Sequence, residues 1–574
     1  MRKVLDRKIN WIAIIWWGVV LVNIKRILID FDTDFEYAIT QSYRMVRGDH
    51  MLAQMWEPHQ TSAFLNAIFI KIYLTVTGTT TGIALYLNVV GLGVKLAVAW
   101  AVWRTFRKYC DRTVLCFMCA FFLAVNAKNF IVLDFSNMMV YFSVLLCCCL
   151  FTYIQGCPEG KGGKFFLILA ALCFCLEVLS YPSAMILFPV LLVILRCYSV
   201  TKKKDMALFS GICFAMGGAF LAFLLFDMGW DRFLLSVRYI VTGDDSHQVT
   251  EFAGRLSGYL TEIISLAVLF CICAVLAFLI GRVMAGKGVS LTRFSYAEIF
   301  LSVLLTYSFV QTLIDVTEDG FPIIFRFLYV AVYIPLIVLA FILKKHCGSE
   351  VKMAFHIGIS ISICSGAAVL ILTNLPLLTV LAYLIPGVMI SIMPIGEYLR
   401  KRAPEGKGIK VYGILILFLL VVLFKNVYVI KSANRTHATV LSVRDVIRGG
   451  PMAGIFSDYM GAYVRNSDLD DWKQYVREGD KVMIVSLPLA STIGYLYEDT
   501  EICVDSTICT PTYNEKLLTY WELNPWKVPN VVVMECWYGE PHVEPDSWIM
   551  GWIEENFDSY ADGKYVRVYR REIP

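Results

Sequence analysis

Charged residues are scarce in this chain of 574 residues. Only 17% of the residues are Asp, Glu, Lys or Arg, while 58% are hydrophobic. A soluble domain carries about a quarter charged residues because polar side chains must cover its core, so a soluble protein is excluded. The 14% aromatic content excludes a disordered chain, and a net charge of +4 is too small to indicate nucleic-acid binding. The composition predicts a polytopic membrane protein.

Several catalytic motifs are also missing. The chain has no GxxxxGK(S/T) phosphate loop, no HExxH zinc pair and no Gly-x-Ser-x-Gly elbow. These absences argue against nucleotide-driven and zinc-dependent chemistry. Most of the 18 cysteines fall within apolar runs, where a thiol behaves as a small hydrophobe, so they indicate no disulfide framework. A bridge between Cys503 and Cys509 stays open if the polar C-terminal region faces an oxidising space.

Long apolar runs fill residues 10–430. A bilayer core about 30 Å thick needs about 20 apolar residues per helix, and runs of this length predict about 13 spanning helices. The first run, residues 10–29, follows four basic residues, so we expect a cytoplasmic N-terminus. The helix number stays open around Tyr181 and Asn374, where a tight turn, a kink or a re-entrant segment would fit.

The apolar stretch 61–103 is interrupted by a Thr- and Gly-rich segment. One crossing at about 81–103, with 61–76 lying as an interfacial helix, keeps the following basic residues inside. Two crossings would place those residues outside, so we favour the single crossing.

The composition changes after residue 430. Residues 431–574 carry 14 basic and 22 acidic side chains, whereas the preceding part is net basic. Short β-branched runs at 481–487, 530–535 and 565–569 alternate with helix-like stretches. We expect residues 1–430 to form a transmembrane domain and 431–574 to form an external soluble α/β domain.

The external loop 30–80 begins with alternating carboxylates, which are Asp30, Asp32, Asp34 and Glu36. Like charges this close repel and raise one another's pKa unless a metal ion, a cationic partner or a substrate proton balances them. The alternative is a solvated acidic loop that anchors the end of the first helix.

Two arginines follow in the same loop. If residues 36–47 are helical, Arg44 and Arg47 share one face and can hold a phosphate. Pairing with the nearby carboxylates is the alternative. Gly48-Asp49 and then Trp56-Glu57-Pro58-His59 lead into the next apolar segment.

This order of residues resembles the first external loop of polytopic GT-C glycosyltransferases. An acidic residue, Phe-x-Tyr, Gly-Asp and Trp-acidic-x-His follow one another, as Asp32 or Asp34, Phe35, Tyr37, Gly48, Asp49, Trp56, Glu57 and His59. Relatives include protein mannosyltransferases and the aminoarabinose transferase that acts on lipid A. This chain departs from them at Gln60-Thr61-Ser62, where Lys-Gly-Pro is frequent, and it lacks their adjacent Asp-Glu pair.

The resemblance implies a GT-C fold, a lipid-linked sugar donor and roles for these residues. Asp34 is the first choice for the catalytic base and Asp32 the second, and either would be the ligand if a divalent metal ion is bound. The expected substrate-binding residues in this loop are Glu36, Tyr37, Arg44, Arg47, Trp56, Glu57 and His59.

Two further candidates lie beyond the first loop. Asp134 lies in the second outer loop, where a second acidic residue is common in the family, and a helix cap or a partner for Lys128 is the alternative. Arg326 lies just inside an apolar band, where a lipid phosphate would compensate its charge. Snorkelling of Arg326 to the interface is the alternative.

The sequence therefore predicts a membrane glycosyltransferase that moves a sugar from a polyprenyl-phosphate-linked donor to an envelope glycan, lipid or protein. It would act at the outer face of the cell membrane, with an extracytoplasmic C-terminal domain, and its partners would be the donor, the acceptor and the membrane, without nucleic acid. A transporter or lipid flippase with an external binding domain is the alternative, with Lys95 and Glu177 as a relay inside the helices. A non-catalytic scaffold would not need the carboxylates.

Overall fold

Helices dominate the chain up to Tyr428. The computed structural model describes residues 10–156, 164–242, 252–315, 328–373, 375–402, 411–432, 435–486, 491–508, 514–537, 540–541 and 543–571. Its helices begin with α1 (Trp11–Leu28), α2 (Thr33–Val46), α3 (Phe64–Thr77), α4 (Ile83–Phe106), α5 (Arg112–Ala124), α6 (Phe135–Gly156), α7 (Phe165–Ser180) and α8 (Leu187–Tyr198). They continue with α9 (Lys202–Thr242), α10 (Phe252–Gly286), α11 (Arg293–Asp315), α12 (Leu328–Ala331), α13 (Tyr333–Leu343), α14 (Ser349–Leu372), α15 (Leu377–Leu381), α16 (Ile385–Arg402) and α17 (Gly413–Tyr428).

Many of these helices suit a bilayer. Within the described ranges, 8 helices are long and apolar enough to cross a membrane. Shorter apolar helices accompany them, namely α5, α7, α8 with the turn before it, and α17. The prediction of an α-helical polytopic protein with a C-terminal strand-containing domain is confirmed. The figure of about 13 spanning helices stays a prediction.

The interrupted stretch 61–103 folds as one short and one long helix. Helix α3 has 14 residues and is about 21 Å long, which is less than a bilayer core. It ends at Gly78, and α4 begins after Gly82, both with a left-handed backbone. Helix α4 has 24 residues and is long enough to cross. These lengths agree with a single crossing.

The described residues on either side of residues 243–251 belong to the long helices α9 and α10. Helix α10 has 35 residues and is about 50 Å long, more than a bilayer core, whereas the 41 residues of α9 form two helices that meet at a kink. Helix α9 departs from helical geometry at Gly229, whose φ is +74°. This kink lies where the apolar run gives way to the polar residues Asp227, Asp231 and Arg232.

The C-terminal region is a mixed sheet with helices. Its elements are β1 (Val429–Ser432), β2 (Arg435–Thr439), β3 (Asp445–Val446), β4 (Phe456–Ser457), α18 (Tyr459–Tyr475), β5 (Lys481–Val485), β6 (Glu501–Ile502), α19 (Asn514–Leu523), β7 (Val531–Trp537), β8 (Glu540–Pro541), α20 (Trp548–Asn556), β9 (Ser559–Asp562) and β10 (Val566–Arg570). The main sheet has the order β6-β5-β7-β10-β9, and β8 pairs with β7. Strand β5 is parallel to β6 and β7, while β10 is antiparallel to β7 and β9. The apolar sequences of β5 and β7 suit central strands that are buried on both faces.

Helix α2 packs against this sheet region. Its apolar side chains share one hydrophobic core with the C-terminal region, formed among others by Phe35, Ile39, Tyr43, Trp472, Val482 and Val532. The Thr40 hydroxyl donates to the carbonyl oxygen of Thr492 at 3.0 Å. The backbone N–H of Trp56 donates to the carbonyl oxygen of Asp505 at 2.9 Å. Residues 33–56 are therefore held in place by the C-terminal region.

Candidate functional site

The four carboxylates from Asp30 to Glu36 have different partners. Asp30 is buried and forms an ion pair with Lys25 at 2.8 Å. Asp32 is buried and caps α2, because its Oδ1 accepts the backbone N–H of Phe35 at 2.9 Å. Asp34 lies in the first turn of α2, with 35% of its side chain exposed. Of the carboxylates from 30 to 34, Asp34 is thus the one that solvent or a substrate can reach.

Lys128 joins Asp34 to the second candidate carboxylate. Its ammonium group forms an ion pair with Asp34 and lies 3.9 Å from an oxygen of Asp134. Burial alone would lower the pKa of Lys128, but the two carboxylates together raise it. Asp134 caps a helix and faces Lys128, which were the two alternatives to a role in the site. Through Lys128 it also lies in the same group as Asp34.

Asp134 occupies the position before α6. Its Oδ1 accepts the backbone N–H of Asn137 at 2.9 Å, while its Oδ2 has no hydrogen bond among the described residues. Burial raises the pKa of Asp134 to about 6, although Lys128 acts in the opposite direction. Its carboxyl group therefore changes protonation close to physiological pH.

Aromatic rings form one side of this group. The His59 ring stacks on Phe135 at 3.9 Å between centroids and lies 4.9 Å from the ring of Tyr181. Lys128 lies over the Phe135 ring at 4.1 Å. His59 has a φ of +57°, a strained backbone of the kind that functional sites retain. These contacts bring the predicted residue His59 to the same place as Asp34 and Asp134.

Two tyrosines next to these aromatic rings, Tyr181 and Tyr383, were not predicted as site residues from the sequence. Tyr181 follows α7 and lies 6.3 Å from the ring of Tyr383, which is in the turn between α15 and α16. The Tyr383 hydroxyl is 2.6 Å from the hydroxyl of Ser136. Lys128 was considered only as a partner for Asp134. The sequence marks Tyr181-Pro182 as a turn and Lys128-Asn129 as part of a polar loop. Neither pattern shows that the two segments are in contact.

Glu36 points away from Asp34 and towards the C-terminal region. It is buried, forms an ion pair with Arg465 and accepts a hydrogen bond from the Ser491 hydroxyl at 3.3 Å. Burial raises the pKa of Glu36. Burial also raises the pKa of Asp468, 3.6 Å from Arg465, to about 8. Glu36 thus contributes to the contact between α2 and α18.

Arg44 is the centre of a buried polar network at the end of α2. Its guanidinium donates to Asp49 at 2.7 Å and to Glu57 at 2.5 Å. It also donates to the carbonyl oxygens of Gln54 at 2.6 Å and Val504 at 2.8 Å. These donors are already engaged within the protein, and the side chain is fully buried.

Arg47 lies in a different environment. It forms an ion pair with Asp499 at 2.6 Å, and both side chains are nearly half exposed. The two arginines expected to hold one phosphate therefore do not share an open face.

The remaining loop residues hold the turn before His59 in place. The hydroxyl of Tyr37 donates to the carbonyl oxygen of Pro58, which also accepts from the side-chain amide of Gln41 at 2.9 Å. Trp56 is buried and stacks on Tyr239 at 5.4 Å between centroids. Tyr37, Trp56 and Glu57 are buried. Arg326 lies outside the described residues.

The described side chains of the site do not converge as ligands for a divalent metal ion. Across the described part of the chain, no three His, Cys, Asp or Glu side chains converge as a metal site. Asp32 caps α2, and the ammonium of Lys128 lies where Asp34 and Asp134 face each other. This donor set suits an ammonium group rather than a metal ion, so no chemical step is assigned to a metal.

Lys95 and Glu177 do not form the relay expected of a transporter. Lys95 donates to the carbonyl oxygens of Leu123 at 3.1 Å and Val125 at 2.6 Å. Glu177 instead accepts hydroxyl hydrogen bonds from Ser143 at 2.7 Å and Ser365 at 3.0 Å. Each charge is held by its own partners within the helix bundle.

The chain is similar to solved structures of known proteins. No family model and no curated protein matches the chain. The archaeal oligosaccharyltransferase AglB from Archaeoglobus fulgidus, in complex with an inhibitory peptide and a dolichol-phosphate, is similar with a TM-score of 0.42 and 11% identity over 92% of this chain and 69% of that chain. The A. fulgidus oligosaccharyltransferase tethered to an acceptor peptide containing the NVT sequon gives a TM-score of 0.41, with 11% identity, 92% of this chain and 69% of that chain. The apo form gives 0.43, with 10% identity, 92% and 70%.

These neighbours are membrane glycosyltransferases of the GT-C fold, the family that the first outer loop resembles. Because the TM-scores lie below 0.5, the likeness by itself supports no conclusion about the activity of this chain.

Proposed function

We propose that the chain is a membrane glycosyltransferase that uses a sugar linked to a polyprenyl phosphate. The grouping of Asp34, Lys128 and Asp134 at the start of α2 carries the proposal. Transfer of a sugar from a phosphate needs a base for the acceptor proton and a cation for the departing phosphate. The group supplies a partly exposed carboxylate and an ammonium side by side.

The proposed reaction uses the chain's own side chains. The acceptor hydroxyl oxygen attacks C1 of the donor sugar, and a new C1–O bond forms. The bond between C1 and the phosphate oxygen breaks, and polyprenyl phosphate leaves with the electron pair. Asp34 takes the acceptor proton. Lys128 turns from Asp34 towards the phosphate and stabilises its negative charge, while Asp134 keeps the ammonium group close.

The surroundings support chemistry on a lipid-borne substrate. The site lies where α6 begins, and α6 is one of the helices suited to cross a membrane. A prenyl chain could then lie among the helices while its phosphate reaches Lys128. The resemblance of the first outer loop to GT-C glycosyltransferases supports the same activity.

We further propose that the site faces the outside of the cell membrane and that the N-terminus is cytoplasmic. Residues 431–574 would form the extracytoplasmic domain, held over the site by α2, and residues 1–430 the transmembrane domain. The acceptor would be an envelope glycan, lipid or protein.

The test is sugar transfer by purified full-length protein in lipid nanodiscs. Donors are a panel of synthetic polyprenyl phosphate sugars, with nucleotide sugars as the comparison. We expect transfer from at least one lipid-linked donor and a strong loss in Asp34→Asn, whereas Asp558→Asn, which changes an exposed carboxylate of the C-terminal region, keeps the wild-type rate. Transfer from nucleotide sugars alone, or no transfer from any lipid-linked donor, would overturn the proposal.

A further inference from the structure

A polar cavity lies at the opposite end of α2 from the proposed catalytic group. Its volume is about 500 Å³, within the range of roughly 300–1,000 Å³ typical of small-ligand sites. Its lining includes Arg47, His50, Asp227, Glu501, Trp526 and Lys527. Since α2 rises about 1.5 Å per residue, Arg47 lies roughly 20 Å from Asp34 along the helix. The cavity is therefore separate from the catalytic group and connected to it by a rigid element.

Buried charged side chains that pair with one another form the floor of the cavity. Lys527 lies 2.6 Å from Asp49 and 3.3 Å from Glu501. Asp49 also accepts from Arg44 at 2.7 Å, so this carboxylate joins two cations. The side chains of Arg44 and Lys527 are buried, which holds the floor in one arrangement.

The rim carries polar groups that solvent reaches. Arg47 pairs with Asp499, and both side chains are nearly half exposed. His50 lies 2.8 Å from Asp227, with 55% of the His50 side chain exposed. Trp526 completes the rim, and 49% of its surface is exposed, so a ligand in the cavity can reach its ring.

The charges of the lining select against an anionic ligand. The lining holds four carboxylates, from Asp49, Asp227, Asp499 and Glu501, against the three permanent cations Arg44, Arg47 and Lys527. Each of these cations already faces a carboxylate, so a phosphate or sulfate would find no unmatched positive charge.

A neutral ligand rich in hydroxyl groups fits these features. Hydroxyl groups donate to carboxylates and accept from Arg and Lys, so they can bridge the exposed pairs without adding charge. The flat apolar face of Trp526 can pack against the C–H face of a sugar ring.

We propose that this cavity is a binding subsite for a neutral carbohydrate chain. Binding as such goes beyond the proposed transfer reaction, whereas the role of the bound chain as acceptor rests on the proposed function. An oligosaccharide of a few sugars spans the distance between the cavity and Asp34. The cavity would then hold a preceding part of the chain while its end accepts the new sugar.

The test is calorimetric titration of the full chain in nanodiscs. The probes are neutral hexasaccharides of glucose, mannose, galactose and N-acetylglucosamine, with a sulfated hexasaccharide as the anionic arm. We expect at least one neutral probe to bind, an affinity loss of at least about tenfold in Trp526→Ala, and partial recovery in Trp526→Phe. Trp230→Ala is the matched control, because Trp230 is 55% exposed and is not part of the cavity lining.

Each outcome decides between the two proposals. Absence of binding to every neutral probe, unchanged affinity in Trp526→Ala, or preference for the sulfated probe overturns the subsite. Asp34→Asn should bind the neutral probe as the wild type does. If binding follows these expectations while no lipid-linked donor is used, the subsite holds and the proposed transfer reaction fails. Transfer without oligosaccharide binding gives the reverse result.

Discussion

The two ends of α2 carry similar residues in opposite environments. At its start, Asp34 is partly exposed and is held by Lys128, whose other carboxylate partner is 3.9 Å away. At its end, Arg44 is fully buried, and its guanidinium reaches two carboxylates and two carbonyl oxygens. Both ends are charged clusters within one helix of 14 residues.

The difference separates chemistry from attachment. A charge that is buried and fully hydrogen-bonded cannot exchange partners without a large penalty, so the Arg44 network joins α2 to the C-terminal region. A partly exposed carboxylate beside a single ammonium can exchange that ammonium for a substrate group. The start of α2 is therefore suited to a reaction, and its end is suited to holding the helix.

The largest expected effect on stability comes from the buried end. Arg44→Met removes the cation that faces the buried Glu57 and leaves Asp49 with Lys527 alone, and we expect the free energy of unfolding to fall by about 3–5 kcal/mol. The control is Arg47→Met on the same helix, whose exposed pair should contribute less than about 1 kcal/mol. Equilibrium denaturation in mixed micelles measures both. Equal effects of the two substitutions would remove the distinction between the two ends.

The second effect concerns activity at the start of the helix. Lys128→Met removes the cation proposed for the leaving phosphate, and we expect kcat to fall roughly 10²–10³-fold. Lys128→Arg should restore part of the rate, and Lys473→Met, at an exposed position of α18, should leave it unchanged. The variants are compared by sugar transfer from the preferred lipid-linked donor. A Lys128→Met enzyme with the wild-type kcat would show that the ammonium serves structure alone.

The third effect is a pH dependence of stability from Asp134. Its pKa is raised to about 6 by burial, so between about pH 4 and 6 the folded state binds the proton more tightly than the unfolded state does. Stability from this group therefore rises as pH falls through that window and is lost above it. Asn caps a helix as well as Asp does, so Asp134→Asn is a matched variant.

The measurement is parallel denaturation of wild type and Asp134→Asn from pH 4 to 8. We expect the wild type to gain on the order of 1–3 kcal/mol relative to the variant between pH 7 and 4. Parallel stability curves would show that the Asp134 carboxyl group is not held in the buried state described.

The sequence was sufficient for local features of the fold. Apolar runs predicted the helices, and the short β-branched runs after residue 430 predicted a strand-containing C-terminal region.

The site was predictable only in part, for a geometric reason. Asp34 and Glu36 are two residues apart, and on a helix this separates their directions by about 200°. Their different partners follow from that rotation once the helix is known. Tyr181 and Tyr383 join the site from turns that are far apart in the sequence, and no local pattern records such a contact.

The most direct measurement separates donor binding from transfer in Asp34→Asn. The proposed role in proton transfer predicts that this variant binds the lipid-linked donor within a few-fold of the wild type, while its single-turnover transfer rate falls roughly 10²–10⁴-fold. Transfer at the wild-type rate, with binding intact, would contradict the assignment of Asp34 as the base.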